Sequence, residues 1–237
     1  MTAEITIVPI LNDNYAYIVF DPQTAVTGVI DPGEAEPVVE MLDRVNLHLD
    51  WVINTHHHWD HTNGNKALIE RYGAKWAAPK ECGDADIVLN EGESFYLGGI
   101  AFEILWTPGH TEGHVCLFCR QEHILFSGDT LFSMGCGRLF EGTAQDMFMS
   151  INKIKALPAQ TKIYCGHEYT LSNGEFAAYL MPDNADICEQ LSIVKTLRRN
   201  KLPTIPFTLH TELKTNPFLM ATSFKELGDY RAQKDKF

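Results

Sequence analysis

NTHHHWDHTNGN, residues 54–65, places four histidines and an aspartate in the six consecutive positions 56–61. Imidazole is the commonest metal ligand and titrates nearest neutrality. A cluster this dense would repel itself if protonated and bury unpaired polar groups if neutral. A cation among the rings removes both problems. His56, His58, Asp60 and His61 spell H-x-H-x-D-H, three imidazoles and one carboxylate from a single loop. That nitrogen and oxygen set suits Zn²⁺ and related divalent cations. The interleaved His57 and Trp59 are expected to point away from the metal, to pack or to hydrogen-bond.

Outward from the cluster, LDWVINTH on its N-terminal side reads as an apolar strand, and HTNGNKALIERYG on its C-terminal side leads into a helix ending at Gly73. The cluster is therefore expected on a loop at a strand's end. Upstream, ITIVPI, YAYIVF and AVTGVID read as strands, with AEPVVEMLDRVNL as a helix. Downstream, AKWAAP, ESFYL, IAFEILWT, HVCLFC, HILFSGD and TKIYCG read as strands around a helix at AQDMFMSINKIKAL. After GHEYT the character changes. DNADICEQLSIVKTLRRNK and SFKELGDYRAQKDKF are both helical in pattern, and Ser223 and Glu226 have capping-box spacing. The expected organisation is a strand-rich α/β domain over 1–167 and a smaller helical domain over 168–237.

Three further candidate ligands follow predicted strands: His110 in WTPGHTEGH, Asp129 in LFSGDTLF and His167 in YCGHEYT. Because a carboxylate can bridge, seven ligands divide into three for each of two metals and one shared. His114 is expected to support a ligand rather than bind metal. His48, His123 and His210 read as ordinary polar residues, and Asp31 in GVIDPG reads as a turn.

The composition, 45% hydrophobic and 21% charged over 237 residues, is that of a globular protein. The net charge of −12 opposes a nucleic-acid partner. Residues 168–237 carry nine basic and nine acidic side chains, so all the excess negative charge lies in the first 167. MTAEITIVPILNDN lacks the features of a leader peptide and no apolar run is long enough for a membrane span, which makes a cytoplasmic location and no membrane partner the expectation. The six cysteines have no disulfide spacing and read as reduced thiols. In CLFC, Cys116 and Cys119 belong to a strand, with a core role expected for at least one.

THHHWDH, TPGHTEGH, SGDTLF and YCGHEY, in this order and at these separations, resemble the metallo-β-lactamase superfamily. GCGRLFEGTAQDM, NPFL and RAQKDKF resemble, within it, the glyoxalase II or hydroxyacylglutathione hydrolase family. The resemblance implies an αββα sandwich with a smaller helical C-terminal domain that helps hold glutathione. It implies one metal on His56, His58 and His110, a second on Asp60, His61 and His167, and Asp129 as the bridge. It assigns Arg231 and Lys234 to the glycine carboxylate of glutathione, with Arg138 and Tyr169 as further substrate contacts. In many family members an aromatic hydroxyl stands two residues beyond the basic residue of the GCGR segment; here that position is Phe140, which cannot donate a hydrogen bond.

The implied reaction is hydrolysis of S-D-lactoylglutathione to D-lactate and glutathione, the second step of methylglyoxal detoxification. Two metals about 3.5–4 Å apart supply a bridging hydroxide at neutral pH, so no protein nucleophile is required. Asp60 is expected to orient it. A thiolate leaves without prior protonation, which spares the enzyme a strong general acid. Zinc is expected first, with iron and manganese open. A monomer is expected. The rival readings are a persulfide dioxygenase with one iron, which does not need a tail ending in Arg231 and Lys234, and a non-catalytic module stabilised by metal. A β-lactamase or a tRNA-processing nuclease fits less well, the first for want of a cysteine at position 129 and the second for the acidic balance.

Overall fold

The computed structural model describes residues 3–237; Met1 and Thr2, which open the segment read for a leader, lie outside the described residues. The chain forms two compact units, 1–106 with 113–122, and 107–112 with 123–237. This division by packing does not follow the 167/168 change in sequence character.

In the first unit, β1 (Glu4–Ile10), β2 (Asn14–Asp21) and β3 (Val26–Ile30) form an antiparallel meander. The chain then passes through α1 (Glu36–Val45) to β4 (Trp51–Ile53), which pairs parallel with β3. Next come α2 (Trp59–Thr62) and α3 (Asn65–Tyr72), and then β5 (Lys75–Ala78) and β6 (Ile87–Val88) extend the parallel part. Helical crossovers are what parallel neighbours demand. The α1 helix buries Val38, Val39 and Leu42, and α3 buries Leu68, in one core with Val8, Ile10, Ile18, Val29 and Val52 of the sheet. The other face of the sheet meets β7 (Ser94–Leu97), where Trp51 stands edge-on to Phe95 at 5.1 Å. β7 pairs antiparallel with β8 (Ile100–Trp106), and β8 with β9 (Val115–Cys119). The first unit is thus helix, sheet, sheet in section, every side chain of VCLFC is buried, and the six cysteines are thiols rather than disulfides.

In the second unit, β10 (Ile124–Gly128) leads into a short hairpin, β11 (Leu131–Phe132) and β12 (Gly135–Cys136). The helix α4 (Ala144–Lys155) starts with a capping box in which Thr143 and Asp146 exchange hydrogen bonds. β13 (Lys162–Cys165) then pairs parallel with β10. Beyond it lie α5 (Thr170–Leu180), α6 (Ala185–Arg199), β14 (Phe207–Thr208), α7 (Leu209–Thr215), α8 (Pro217–Met220) and α9 (Phe224–Lys234). Ser223 caps α9 by accepting from the Glu226 amide, but the Glu226 carboxylate accepts from the Thr222 amide instead of closing the box on Ser223. Among the described residues no helix is long and apolar enough to cross a membrane.

Candidate metal centre

In the first unit the ligand set hangs on the C-terminal ends of the parallel strands β3 and β4, where α/β sheets present ligand sites. The expected loop is partly helical: α2 begins at Trp59, so Asp60 and His61 lie on one short turn while His56 and His58 precede it. Gly33 lets this turn come close, since a Cβ there would stand 1.8 Å from the Asp60 carbonyl oxygen. His56 and His61 are fully buried, with ring centroids 4.2 Å apart, and His56 and His58 are 4.8 Å apart. His57 turns to Glu81 at 3.3 Å, while Trp59 faces solvent rather than packing. His114 is buried and stacks on His56 at 4.8 Å, a supporting position.

Hydrogen bonds fix how these rings are protonated. Asp31 accepts from the Thr55 amide (2.8 Å) and hydroxyl (2.6 Å), and its Oδ2 lies 3.1 Å from His61 Nδ1. A carboxylate can only accept, so His61 carries its proton on Nδ1. The Thr55 hydroxyl spends its proton on Asp31, so its oxygen accepts from His56 Nδ1 at 3.0 Å. Both rings therefore direct an Nε2 lone pair outward. His61 Nε2 faces Asp60 Oδ2 at 3.7 Å, and that oxygen already accepts from Asn14 at 2.9 Å.

Asp31, expected only as a turn, does form one with φ of 51°, but its carboxylate also orients His61. Asp31, His56 and His61 have donor atoms within 4.8 Å of one another. Because both Asp31 oxygens are engaged by Thr55 and His61, we read it as the outer partner of a ligand rather than as a ligand. A strand-end acid followed by Pro-Gly was the available signal, the same placement that marked Asp129.

The second unit builds a matching arrangement from three separate stretches. His110, Asp129 and His167 are all at least 95% buried. His110 Nδ1 donates to the Arg138 carbonyl oxygen at 2.9 Å, which leaves its Nε2 lone pair facing Asp129 Oδ2 at 3.4 Å. The same oxygen lies 3.3 Å from His167 Nε2. A neutral ring with its proton on Nδ1 has no Nε2 proton to give the carboxylate, so a cation between the two would relieve their repulsion. Bonds of about 2.1 Å at tetrahedral angles put neighbouring ligands about 3.4 Å apart, so the donor set fits a divalent metal. Gly137 permits the packing, because a Cβ there would lie 2.0 Å from the Asp129 carbonyl oxygen and 3.1 Å from His110 Nδ1.

Beside these ligands the same unit collects the expected substrate residues. Tyr169 is part-exposed and stacks on His167 at 4.5 Å and 7°. Phe140 is exposed and edge-on to His110 at 5.3 Å. Arg231 is buried rather than displayed: it donates to the Cys136 carbonyl oxygen at 2.8 Å and pairs with Asp235 at 2.9 Å. Arg138 is exposed and 3.7 Å from the same Asp235. The Lys234 ammonium donates to Ser172 and lies over Phe176 and Phe237. Burial, then the neighbouring Arg231, pulls its pKa down to about 8. An ammonium whose protonation is disfavoured by burial and a neighbouring cation is prepared for an anion.

Comparison with known proteins completes this geometry. The family model for the metallo-beta-lactamase superfamily matches residues 11–85 and 81–167, and that for the hydroxyacylglutathione hydrolase C-terminus matches 168–237. A hydroxyacylglutathione hydrolase of Pelagibacter ubique is 42% identical, over 99% of this chain and 100% of that one. One from Methylococcus capsulatus is 44% identical, over 93% and 88%. The chain belongs to the hydroxyacylglutathione hydrolase family. It is an enzyme of that hydrolase type with a two-metal centre.

Hydroxyacylglutathione hydrolases are thus the branch of the superfamily in which this chain lies, and solved structures show the fold. ETHE1 from Myxococcus xanthus aligns with a TM-score of 0.75 at 24% identity, over 98% of this chain and 90% of that one. The BLEG-1 B3 metallo-beta-lactamase aligns at 0.71 and 23%, over 92% and 100%. The fold is the αββα sandwich with an additional helical C-terminal region.

Proposed function

We propose that this chain hydrolyses S-D-lactoylglutathione and related 2-hydroxyacylglutathiones to D-lactate and glutathione, the second step of methylglyoxal detoxification. His56, His58 and His110 would hold one metal and Asp60, His61 and His167 the other, with Asp129 shared between the two. Zinc is the first candidate, because the five imidazoles and two carboxylates of this set form a borderline donor set, and iron or manganese can take the same positions. The chain works as a cytoplasmic monomer on a small-molecule substrate, without nucleic acid or membrane. Residues 1–167 supply the catalytic domain and 168–237 the glutathione-binding domain.

The observation that carries this reading is the opposition of a histidine lone pair to a carboxylate oxygen, at His61 and Asp60 and again at His110 and Asp129. When bound, the two cations supply hydroxide at neutral pH and polarise the thioester carbonyl. Asp60, its Oδ2 held by Asn14, orients the nucleophile toward that carbonyl. Asp31, Thr55 and the Arg138 carbonyl oxygen keep His61, His56 and His110 in the tautomer that would ligate through Nε2. Lys234 and Arg138 receive the anionic ends of glutathione, and Arg231 reinforces their positive field from its buried position. Tyr169, stacked on His167, offers its hydroxyl at the edge of the metal centre.

The test is hydrolysis of S-D-lactoylglutathione by purified protein of known metal content, beside the Arg231→Ala/Lys234→Ala double variant. Turnover with a raised KM in the double variant is expected. Absence of turnover with both metal positions filled would overturn the reading.

A further inference from the structure

Glu212 is an ionisable side chain fully buried in the second unit, on α7, and the chemistry described so far gives it no task. It grips the tip of the β11–β12 hairpin. Oε1 accepts from the Ser133 hydroxyl at 2.9 Å, and Oε2 accepts from the Met134 amide at 2.7 Å and from the Asn216 side-chain amide at 2.9 Å. The Asn216 amide also donates to the carbonyl oxygens of Phe132 (3.2 Å) and Gly135 (3.0 Å). Asn173 donates to the Ser133 carbonyl oxygen at 3.1 Å. Three buried side chains thus hold a turn of four residues, in which Met134 is kept at φ of 57°, a conformation a methionine rarely adopts.

The value of holding that turn lies at the hairpin's other end. Asp129 enters β11 two residues upstream. The Gly137 amide donates to the Thr130 carbonyl oxygen at 3.2 Å, and the next residue, Arg138, supplies the carbonyl oxygen that orients His110. Cys136 supplies the carbonyl oxygen that Arg231 grips. The Phe132 ring lies 5.9 Å from His167 and 5.2 Å from Tyr169. One short hairpin therefore touches or leads into each ligand of this unit and one of its cations. It pairs through only two residues on each strand, too few to define its own geometry.

We propose that Glu212 is a positioning residue for the metal centre, setting the β11–β12 hairpin so that Asp129 and His110 meet the metal in register. A merely structural Glu212 would affect folding alone. A positioning Glu212 governs metal affinity in protein that remains folded. The inference rests on the metal-ligand roles proposed above for His110 and Asp129, but not on the identity of the substrate.

Zinc affinity of the intact protein, measured by chelator competition, is compared among the parent, Glu212→Asp, Glu212→Gln and Ser133→Ala. Asp is one methylene too short to reach Ser133 and Met134 together. Gln keeps the shape and meets Ser133 if its hydroxyl rotates. The expected result is zinc binding weakened about tenfold or more in Glu212→Asp, the range for loss of a partner behind a metal ligand, with most of the loss recovered in Glu212→Gln. Ser133→Ala, the milder change, is expected to follow Glu212→Asp in direction and gives the reading if the Asp variant does not fold. Folded variants with parental zinc affinity would overturn the inference. Weakened zinc binding in a protein whose parent does not hydrolyse S-D-lactoylglutathione would uphold it and sink only the substrate assignment.

Discussion

The two units supply the proposed metal ligands, of the same chemistry, by opposite means. The first draws His56, His58, Asp60 and His61 from six consecutive residues after β4, and braces them with side chains, Asp31, Thr55 and Asn14. The second draws His110, Asp129 and His167 from three strand ends, and braces His110 with the main chain of Arg138. A local cluster needs its neighbours to choose a tautomer. A dispersed one needs long-range packing to exist at all, which makes the second half-set the more dependent on folding.

Substitutions can sharpen or break that contrast. The largest effect is expected at Asp129, which faces two imidazoles: Asp129→Ala should lower hydrolysis by more than about a hundredfold, beyond the 10–100-fold typical of an outer partner, with metal content falling in the same preparation. Asp31→Ala should weaken metal binding by about 10–100-fold in folded protein. If Asp31→Ala instead binds metal like the parent, side-chain bracing of the first unit is dispensable and the contrast fails.

Stability against pH probes the second unit's packing. Burial lifts the Glu212 carboxyl to about 7 although three donors favour its anion. A group whose folded pKa is raised contributes stability that is fully present below its unfolded value near 4.5 and is lost as pH rises through 7. Unfolding of the metal-free parent should therefore lose on the order of 3 kcal/mol between pH 4.5 and 8 that Glu212→Gln does not lose. A parallel decline in both proteins would show that Glu212 titrates normally. Smaller still, Lys234→Ala should raise KM about tenfold, the scale of one hydrogen bond to a charged group. In the parent, kcat/KM should fall as pH passes about 8 and Lys234 loses its proton. A kcat/KM that stays flat through that range would remove Lys234 from substrate binding.

Legibility in the sequence followed the same divide. The H-x-H-x-D-H cluster stood out as a candidate because its histidines, the strand and the following helix are contiguous, and His110, Asp129 and His167 because each follows an apolar run. The hairpin at Leu131–Cys136 could not be read, since LFSMGC has neither alternation nor a standard turn pair, and buried Glu212, Asn216 and Asn173 fix its shape from elsewhere in the chain. The short helices α7 and α8 carry little sequence signal for a related reason: their starts depend on Thr208 and Asn216 caps rather than on helical periodicity. Arg231 and Lys234 share a helix, but spacing alone did not reveal that Arg231 turns inward to Cys136 while Lys234 stays half-exposed.

The backbone brace on His110 has a consequence for how this enzyme can vary. A carbonyl oxygen belongs to every amino acid, so no single codon change at position 138 deletes the group that holds His110. Its counterpart in the first unit, the Asp31 carboxylate, is lost by one nucleotide change. In a library of random variants, position 138 should tolerate many residues at the level of metal retention, while position 31 should tolerate almost none.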